Sequence, residues 1–232
     1  MLYRTILWDL DHTLLDSEAS ERLALAETLQ SANVADQPSV ATIYRRINGG
    51  LWARVETGEL SPNEVKTLRF EQLVRECDLD ADPLVMANSF AAGMGRFGDL
   101  YPGAQQALRS ALDNSETMAL VTNGVGDIQR ARVARLGISS LFDALIISGE
   151  IGCSKPGAAI FDATFELLGV DPGGAVMIGD SISSDMRGGF DYGLDTIWFN
   201  RRGAAPPTEI AITHTVASLG QLASLLGPRP VN

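Results

Sequence analysis

The sequence predicts an α/β protein: a parallel sheet whose chain is interrupted, after the first strand, by an inserted helical domain. Amphipathic patterns of about ten to fifteen residues alternate with short apolar runs, which is typical of βα units whose strands pair in parallel. Between the first two runs lie roughly eighty residues with helical patterns and no convincing strand. The apolar runs that suit buried strands are residues 5–8, 118–121, 144–147, 175–178, 196–199 and, near the C-terminus, 213–216.

The segment of residues 17–98 is too long for a single crossover helix, so we interpret it as a separate helical domain. The core domain then comprises residues 1–16 and 99–232. Within that core, one helix is predicted to begin with Pro156 at its first position and to end at Gly169, as helix start and stop signals indicate.

The composition argues against two classes of partner. The 232 residues carry a formal net charge of −11 and no cluster of Lys and Arg, whereas a nucleic-acid polymer requires clustered positive charge. No apolar run approaches the ~20 residues needed to cross a membrane, and the N-terminus lacks the features of a signal peptide. Because Cys77 and Cys153 lie in no metal-binding spacing, we expect reduced thiols in a cytoplasmic protein, either a monomer or a homodimer.

Polar residues follow four of the predicted strands. In open α/β sheets, ligands bind at the carboxyl ends of the strands, so these residues mark the candidate site. Taken singly, a polar residue after a strand is most often a helix N-cap, and a lone lysine is usually solvated. Capping does not explain why four carboxylates, a lysine and hydroxyls meet at one edge of the sheet. The residues are Asp9, Asp11, Thr13, Thr122, Asn123, Lys155, Asp180 and Asp185.

Asp9 and Asp11 are the most informative pair, because a strand places residues i and i+2 on the same face. Two buried carboxylates that close repel each other unless a cation compensates them. Mg²⁺ takes oxygen ligands, usually one or two carboxylates together with water and substrate phosphate. We therefore expect Asp9 and Asp180 to bind Mg²⁺ from neighbouring strand ends, with Lys155 in the same pocket.

The segments DLDHT, VTNG, SKPG and GDSISSD, in that order and spacing, resemble the four motifs of the haloacid dehalogenase (HAD) superfamily of phosphohydrolases. The helical insert between the first two motifs resembles the C1 cap of that superfamily. The resemblance spans almost the whole chain. It implies a Rossmann-like sheet with strand order 3-2-1-4-5, and Mg²⁺-dependent hydrolysis of small phosphomonoesters through an aspartyl-phosphate.

The same resemblance implies a role for each motif residue. Asp9 is the nucleophile, and Asp11 is the acid for the leaving oxygen and then the base for water. Asp11 must then carry a proton at neutral pH, and we expect crowding by neighbouring anions to keep it protonated. Thr122, Asn123 and Lys155 bind the phosphoryl group, helped by the adjacent helix N-terminus, and Lys155 also offsets the charge of the nucleophile.

The resemblance also implies the ligands of the metal. Mg²⁺ is held by Asp9, the backbone carbonyl of Asp11 and Asp180, with Asp185 reaching it through water. General chemistry agrees with this set, because phosphoryl transfer requires mainly positioning and charge neutralisation. A carboxylate nucleophile also divides the reaction into two easier steps.

A finer resemblance lies in the helical insert. The segment INGGLWARVETGELSPNEVKTLRF, with YPGA after the insert and SGEIGCSKPG in the core, is similar to the noncanonical pyrimidine nucleotidases, bacterial 5'-nucleotidases of pyrimidine monophosphates. This similarity implies that the cap selects the substrate. Trp52 and Phe70 would contact the base through their apolar rings, and Asn48 and Arg69 would contact it through their polar groups. For Trp52 and Phe70, core packing is the favoured alternative; for Asn48 and Arg69, neither alternative is favoured.

Three functional hypotheses follow. The first is a phosphatase of small phosphomonoesters, most of all pyrimidine nucleoside monophosphates. The second is another C1-cap enzyme, such as a phosphoglycolate phosphatase, a sugar phosphatase or a β-phosphoglucomutase-like isomerase. The third, a non-catalytic module phosphorylated on aspartate, is disfavoured by the intact carboxylate–lysine set and the large cap. His12 and His214 are assigned structural roles, because strand alternation points His12 away from both acids.

Overall fold

The computed structural model describes residues 2–226 and centres on a six-stranded sheet in which every neighbouring pair of strands is parallel. The strands are β1 (Thr5–Trp8), β2 (Thr117–Thr122), β3 (Ala144–Ile147), β4 (Ala175–Gly179), β5 (Asp195–Phe199) and β6 (His214–Val216). Their order in the sheet, β3-β2-β1-β4-β5-β6, confirms the predicted Rossmann-like order 3-2-1-4-5 and adds β6 beside β5. The predicted core range includes residues 1 and 227–232, which lie outside the described part.

Ten α-helices lie within the described residues, and the first five of them fall between β1 and β2. A 3₁₀ turn at Ser139–Leu141 and a π-helical turn at Ile182–Met186 complete the helical elements. Within residues 2–226, none of the helices combines the length and the apolar character needed to cross a membrane. The helices are α1 (Ser17–Ser31), α2 (Gln37–Glu56), α3 (Pro62–Cys77), α4 (Pro83–Arg96), α5 (Ala104–Asn114), α6 (Gly126–Arg135), α7 (Ser148–Ile151), α8 (Ala158–Leu168), α9 (Arg187–Tyr192) and α10 (Leu219–Leu226).

Helix α8 differs from the prediction at one end. It ends at Gly169, which adopts the left-handed conformation as predicted for a C-cap. It begins at Ala158, so the prediction of Pro156 as its first residue is wrong. Gly157 is extended and forms the N-cap, which leaves Pro156 in the loop that carries Lys155 towards the sheet edge.

The central strands are apolar on both faces because both faces of the sheet are covered. Ile6 and Trp8 pack on one face, in the cluster that includes α5 and α10. Leu7 points to the opposite face and packs with Val121 and Met177 in the cluster that includes α8. The period of two along β1 therefore fixes its register between β2 and β4, and with it the position of the residues that follow.

Helices α1–α4, here called the cap, pack around an apolar cluster of their own. Three aromatic rings meet at its centre, Tyr44, Phe70 and Phe90, with centroid separations of 5.4–5.7 Å. Val125, the N-cap of α6, and Ile128 within α6 belong to the same cluster, so the cap contacts the core through that helix. The domain limits at 16/17 and 98/99 stay a prediction, although α1 begins at the residue where we place the first.

Close packing of α1 against α4 depends on Gly93. A Cβ at this position would lie 2.8 Å from the Cβ and 3.0 Å from the Cα of Ala24. We expect Gly93→Ala to lower the free energy of unfolding by about 1 kcal/mol or more, because overpacking outweighs the better helix propensity of alanine. Chemical denaturation measured by circular dichroism checks this.

The matched control is Gly50→Ala in α2, where an added Cβ has nothing within 4 Å. There the substitution should raise the free energy of unfolding by about 0.5–1 kcal/mol through helix propensity alone. Stabilisation by both substitutions would contradict the close contact between α1 and α4.

Candidate active site

The carboxyl ends of the central strands open into a cavity of about 410 Å³ beneath the cap. Its core side contains most of the residues that the strand ends were predicted to bring together, including Asp9, Asp11, Lys155, Asp180 and Asp185. The cap closes the other side. The cap residues that line the cavity are Ser17, Glu21, Asn48, Trp52, Glu56, Arg69 and Met94.

A buried ion-pair cluster forms the floor of the cavity. Lys155 is 1% exposed, and its Nζ lies 2.8 Å from Asp9 Oδ1 and 2.7 Å from Asp185 Oδ1. Lys155 Nζ also donates to the backbone carbonyl of Val121 at 2.6 Å, and Thr13 Oγ1 donates to Asp9 Oδ2 at 3.0 Å. Burial acts to lower the pKa of Lys155, but the two carboxylates outweigh it, so the pKa lies above its ordinary value and the amine is cationic.

Three carboxylates converge beside this lysine. One oxygen from each of Asp9, Asp180 and Asp185 lies within 4.8 Å of the others. Burial raises the pKa of Asp180 to about 8, and repulsion from Asp185 and Asp9 adds to the effect. Burial also raises the pKa of Asp9, assisted by Asp185 and opposed by Lys155. One lysine does not balance three carboxylates, and a compact set of carboxylate oxygens is the donor set that a hard divalent cation takes.

Local backbone features hold these acids in place. Gly179 ends β4, and a Cβ there would lie 2.1–2.6 Å from the side chain of Asp185, so only glycine admits that carboxylate. The backbone N–H of Ser181 donates to Asp185 Oδ2 at 3.0 Å. Trp198 Nε1 donates to the backbone carbonyl of Asp180 at 2.9 Å, which ties the end of β4 to β5.

Asp11 lies in a different environment from Asp9. Its carboxylate accepts hydrogen bonds from Ser17 Oγ, from Gln129 Nε2 at 2.6 Å and from Arg132 Nη1 at 2.6 Å. Burial acts to raise the pKa of Asp11, but Arg132 and the hydrogen bonds outweigh it and hold the pKa below its ordinary value. The prediction that crowding by anions keeps Asp11 protonated is therefore wrong for this structure, because a buried guanidinium faces it.

The two predicted phosphate-binding residues at the end of β2 differ in their access to the cavity. Thr122 is fully buried beneath the cavity, and its hydroxyl accepts a hydrogen bond from Gln129 Nε2 at 2.8 Å. Asn123 lines the cavity, but its amide is engaged with the backbone of Lys155: Nδ2 donates to the Lys155 carbonyl at 2.8 Å, and Oδ1 accepts from its N–H at 2.9 Å. The Asn123 side chain therefore positions the backbone of Lys155 through both its oxygen and its nitrogen.

Of the two aromatic residues predicted in the cap site, one reaches the cavity. Trp52 lines it. Phe70 is fully buried in the ring cluster with Tyr44 and Phe90 and is absent from the lining, so it belongs to the cap core. Core packing, the favoured alternative, therefore accounts for Phe70, whereas Trp52 packs against the cap cluster and also lines the cavity.

The two polar residues predicted in the cap both line the cavity as parts of one network. Asn48 Nδ2 donates to Glu21 Oε2 at 3.0 Å, and Arg69 Nη1 donates to Asn48 Oδ1 and to Tyr44 Oη, each at 3.3 Å. Arg69 is 3% exposed and stacks over the ring of Phe90. Its guanidinium is thus held mainly by the cap.

His12 does not point away from the acids as predicted. β1 ends at Trp8, and His12 has a left-handed backbone with φ 63°, so strand alternation does not apply to it. It lines the same cavity, and its Nδ1 is buried without a hydrogen-bond partner among residues 2–226. His214 begins β6 and lies outside the cavity lining.

Several residues at the site carry no strand-end signal and were missed, among them Ser17, Glu21, Gln129 and Arg132. Gln129 and Arg132 lie on α6, three residues apart on one helical face, after the VTNG segment. Glu21 lies on α1, one turn after Ser17. The helical spacing of these polar side chains is a usable signal only once the cap and α6 are known to face the cavity.

Comparison with known proteins places these features in a family. A family model of haloacid dehalogenase-like hydrolases matches residues 3–193. The chain is 31% identical over 227 residues to pyrimidine 5'-nucleotidase PynA of Streptococcus pneumoniae, covering 97% of this chain and 96% of the relative. It is 34% identical over 184 residues to pyrimidine 5'-nucleotidase YjjG of Escherichia coli, covering 79% and 80%.

Solved structures give the same result. The magnesium-bound HAD-hydrolase YfnB of Bacillus subtilis superposes with a TM-score of 0.86 at 31% identity and covers 97% of this chain and 98% of its own. L-2-haloacid dehalogenase of Xanthobacter autotrophicus superposes with a TM-score of 0.75 at 20% identity, covering 97% and 98%. The second similarity is one of fold.

Arg132 joins the site to the cap, and its removal provides a test of that contact. Its side chain is 2% exposed, pairs with Asp11, and donates from Nε to the carbonyl of Met94 at 3.0 Å. We expect Arg132→Met to lower the free energy of unfolding by about 2 kcal/mol, because it leaves a 25% exposed carboxylate without its cation and a helix carbonyl without its donor. Urea denaturation measures the change.

Arg130→Met on the same helix is the control. Arg130 is 54% exposed and pairs with Glu150 through two bonds of 2.7 Å. An exposed pair contributes about 0–1 kcal/mol, so this variant should stay close to the parent. Equal losses for the two variants would show that the contacts of Arg132 add nothing beyond those of a surface ion pair.

Proposed function

The chain belongs to the haloacid dehalogenase-like hydrolases, and from that membership we propose that it is a Mg²⁺-dependent phosphatase of small phosphomonoesters that acts through an aspartyl-phosphate. The observation that carries the proposal is the set formed by the buried residues Asp9, Lys155 and Asp185 with the partly exposed Asp180 beneath the cap. It combines a carboxylate held by a lysine with two further carboxylates at a site open to a ligand.

Asp9 is the proposed nucleophile. Its two oxygens are oriented by Lys155 and Thr13, which limits the rotation of the carboxylate. One oxygen attacks phosphorus, and the bond from phosphorus to the leaving oxygen breaks. Water then attacks the same phosphorus and releases phosphate and the free carboxylate. Lys155 offsets the negative charge that gathers on the nucleophile and the phosphoryl group.

Asp11 is the proposed acid and base. It gives a proton to the leaving oxygen in the first step and takes one from water in the second. The hydrogen bonds from Ser17, Gln129 and Arg132 favour the ionised form, which is the form needed in the second step. An arriving phosphoryl dianion favours the protonated form that the first step needs.

Asp9, the backbone carbonyl of Asp11 and Asp180 are the proposed ligands of Mg²⁺, with Asp185 contributing through water. Bound there, the metal would neutralise phosphoryl charge and orient the phosphate oxygens. Thr122 and backbone N–H groups near Asn123 are the proposed phosphate contacts.

For the substrate, we propose pyrimidine nucleoside monophosphates. Two relatives that are 31% and 34% identical bear the name pyrimidine 5'-nucleotidase. The cavity of about 410 Å³ joins the carboxylate floor to Trp52, Asn48 and Arg69 of the cap, a flat apolar surface beside polar groups. The cap limits 17–98, the cytoplasmic location and the monomeric or dimeric state stay predictions from the sequence.

A metal requirement follows from the three carboxylates. Chelation should abolish turnover, and Mg²⁺ should restore it and raise the melting temperature, because the ion relieves repulsion among the acids. Asp180→Asn should weaken Mg²⁺ binding by about tenfold or more. Asp191→Asn, at an exposed carboxylate paired with Arg187, is the control and should leave the Mg²⁺ titration unchanged. Full turnover in excess chelator would overturn the metal assignment.

Asp9→Asn tests the nucleophile. Activity should fall by at least about a thousandfold in a folded protein, because an amide oxygen is a poor nucleophile for phosphorus. Beryllofluoride, a mimic of a phosphoryl group on aspartate, should raise the melting temperature of the parent and not of the variant. Substantial turnover by Asp9→Asn would favour direct attack by water.

The same variant supplies the background for a substrate panel. Uridine and thymidine monophosphates should be hydrolysed more efficiently than p-nitrophenyl phosphate, 2-phosphoglycolate and glucose 6-phosphate. A preference for one of the last two would favour the second hypothesis, another C1-cap phosphatase. Failure to hydrolyse any phosphomonoester would remove the enzymatic proposal altogether.

A further inference from the structure

The cap presents two carboxylates, those of Glu21 and Glu56, to a cavity that must admit an anion. Glu21 lines the cavity on the cap side and is partly buried. Burial raises the pKa of Glu21, opposed by the more distant Arg69 and Arg132. Within residues 2–226 this carboxylate has no ion pair within 4 Å, and its one hydrogen bond comes from Asn48. Such a group is poorly compensated where it stands.

The hydrogen bonds of the cap leave a defined polar edge free. Asn48 Oδ1 is occupied by Arg69, and one N–H of Asn48 Nδ2 is occupied by Glu21 Oε2. Glu21 Oε1 accepts no hydrogen bond from the described residues, and Asn48 Nδ2 carries a second N–H. The edge therefore consists of one charged acceptor next to one donor.

The position of Glu21 and Asn48 in the cavity determines which part of a bound substrate they contact. The phosphoryl end of a substrate belongs at Asp9 and Lys155, on the core side of the cavity. Glu21 is on the cap side, on the helical face that also carries Ser17. Its counterpart is therefore the leaving group, and the phosphate itself is repelled by it.

We infer that Glu21 selects the leaving group: it accepts a hydrogen bond from a donor on a neutral leaving group and rejects leaving groups that carry a negative charge. This inference rests on the proposed phosphatase function. In a pyrimidine nucleotide, the donor is an N–H of the base edge or a ribose hydroxyl, and the second N–H of Asn48 meets an adjacent acceptor. In 2-phosphoglycolate, a carboxylate would face Glu21 instead.

The carboxylate of Glu21 would favour some leaving groups and disfavour others. A buried carboxylate that is left without its donor costs more than a missing apolar contact, so substrates lacking the donor are disfavoured strongly. Like charge disfavours anionic leaving groups independently of shape. Trp52 alone, an apolar wall, would distinguish neither class to the same degree.

The experiment compares ratios of kcat/KM between substrates, with thermal melting to confirm that each variant folds. Glu21→Ala should lower the ratio for uridine monophosphate over p-nitrophenyl phosphate by roughly tenfold or more. Glu21→Gln should raise the ratio for 2-phosphoglycolate over p-nitrophenyl phosphate by roughly fivefold. Glu27→Gln, a half-exposed acid on the same helix paired with Arg96, should keep the parent ratios.

Substrate analogues identify which group of the nucleotide donates the hydrogen bond to Glu21. If it is the base, the parent should prefer uridine monophosphate to its N3-methyl analogue, and Glu21→Ala should lose that preference. If it is the sugar, the same pattern should appear with the 2'-deoxy analogue. Equal loss on nucleotide and aryl phosphate in Glu21→Ala would leave the ratio unchanged. It would mean that Glu21 only supports the cap, and it would overturn the inference.

Failure of the nucleotidase proposal would give a different experimental result. The parent would then hydrolyse p-nitrophenyl phosphate and no nucleoside monophosphate. The rejection of anionic leaving groups would still be measured by the effect of Glu21→Gln on 2-phosphoglycolate. No gain there, in a folded and active variant, would overturn the inference as well.

Discussion

The contact between Lys155 and the carboxylates of Asp9 and Asp185 is the interaction on which the site depends. A fully buried lysine is tolerated only when its charge is compensated, and burying two acids without it would be equally unfavourable. The surrounding backbone is arranged for this cluster. The Val121 carbonyl accepts from the amine, Asn123 holds the backbone of Lys155 by two hydrogen bonds, and Gly179 leaves room for Asp185. The loops after β2, β3 and β4 are thereby held together.

The cap is attached to this cluster through the C-terminal end of α4. The last carbonyls of a helix lack intrahelical donors. Here Arg132 donates to the carbonyl of Met94, and Arg135, one turn further along α6, donates to that of Gly95 at 3.1 Å. Arg132 also binds Asp11. One helix of the core therefore satisfies the end of a cap helix and orients the carboxylate proposed as the acid and base, so the position of the cap and the position of Asp11 are physically linked.

How much of this the sequence predicts depends on the range of the interactions. Apolar runs between helices predict the strands, because burial on both faces leaves little choice of residue, and strand-end residues such as Asp9 and Asp180 follow from the strands. Arg132 and Glu21 do not follow, because only the tertiary packing of α6 and the cap brings them to the cavity. Phe70 shows the converse, because it lies in a cap helix predicted to contact the substrate but faces the core of the cap. A row of apolar residues along a helix does not reveal whether that row faces the protein core or a ligand.

The charged groups on the two sides of the cavity favour different parts of a ligand. On the core side, three carboxylates converge and one lysine pairs with two of them, which leaves a net negative donor set of the kind that a hard divalent cation takes. On the cap side, Glu21 and Glu56 line the cavity together with Arg69, and Glu21 accepts a hydrogen bond from Asn48 with no ion pair within 4 Å among residues 2–226, so a neutral donor suits Glu21 and a second anion beside it does not. A ligand that satisfies both sides must be anionic at one end and neutral but hydrogen-bonding at the other. A phosphomonoester of a neutral, polar alcohol has that polarity, and a substrate with anions at both ends lacks it.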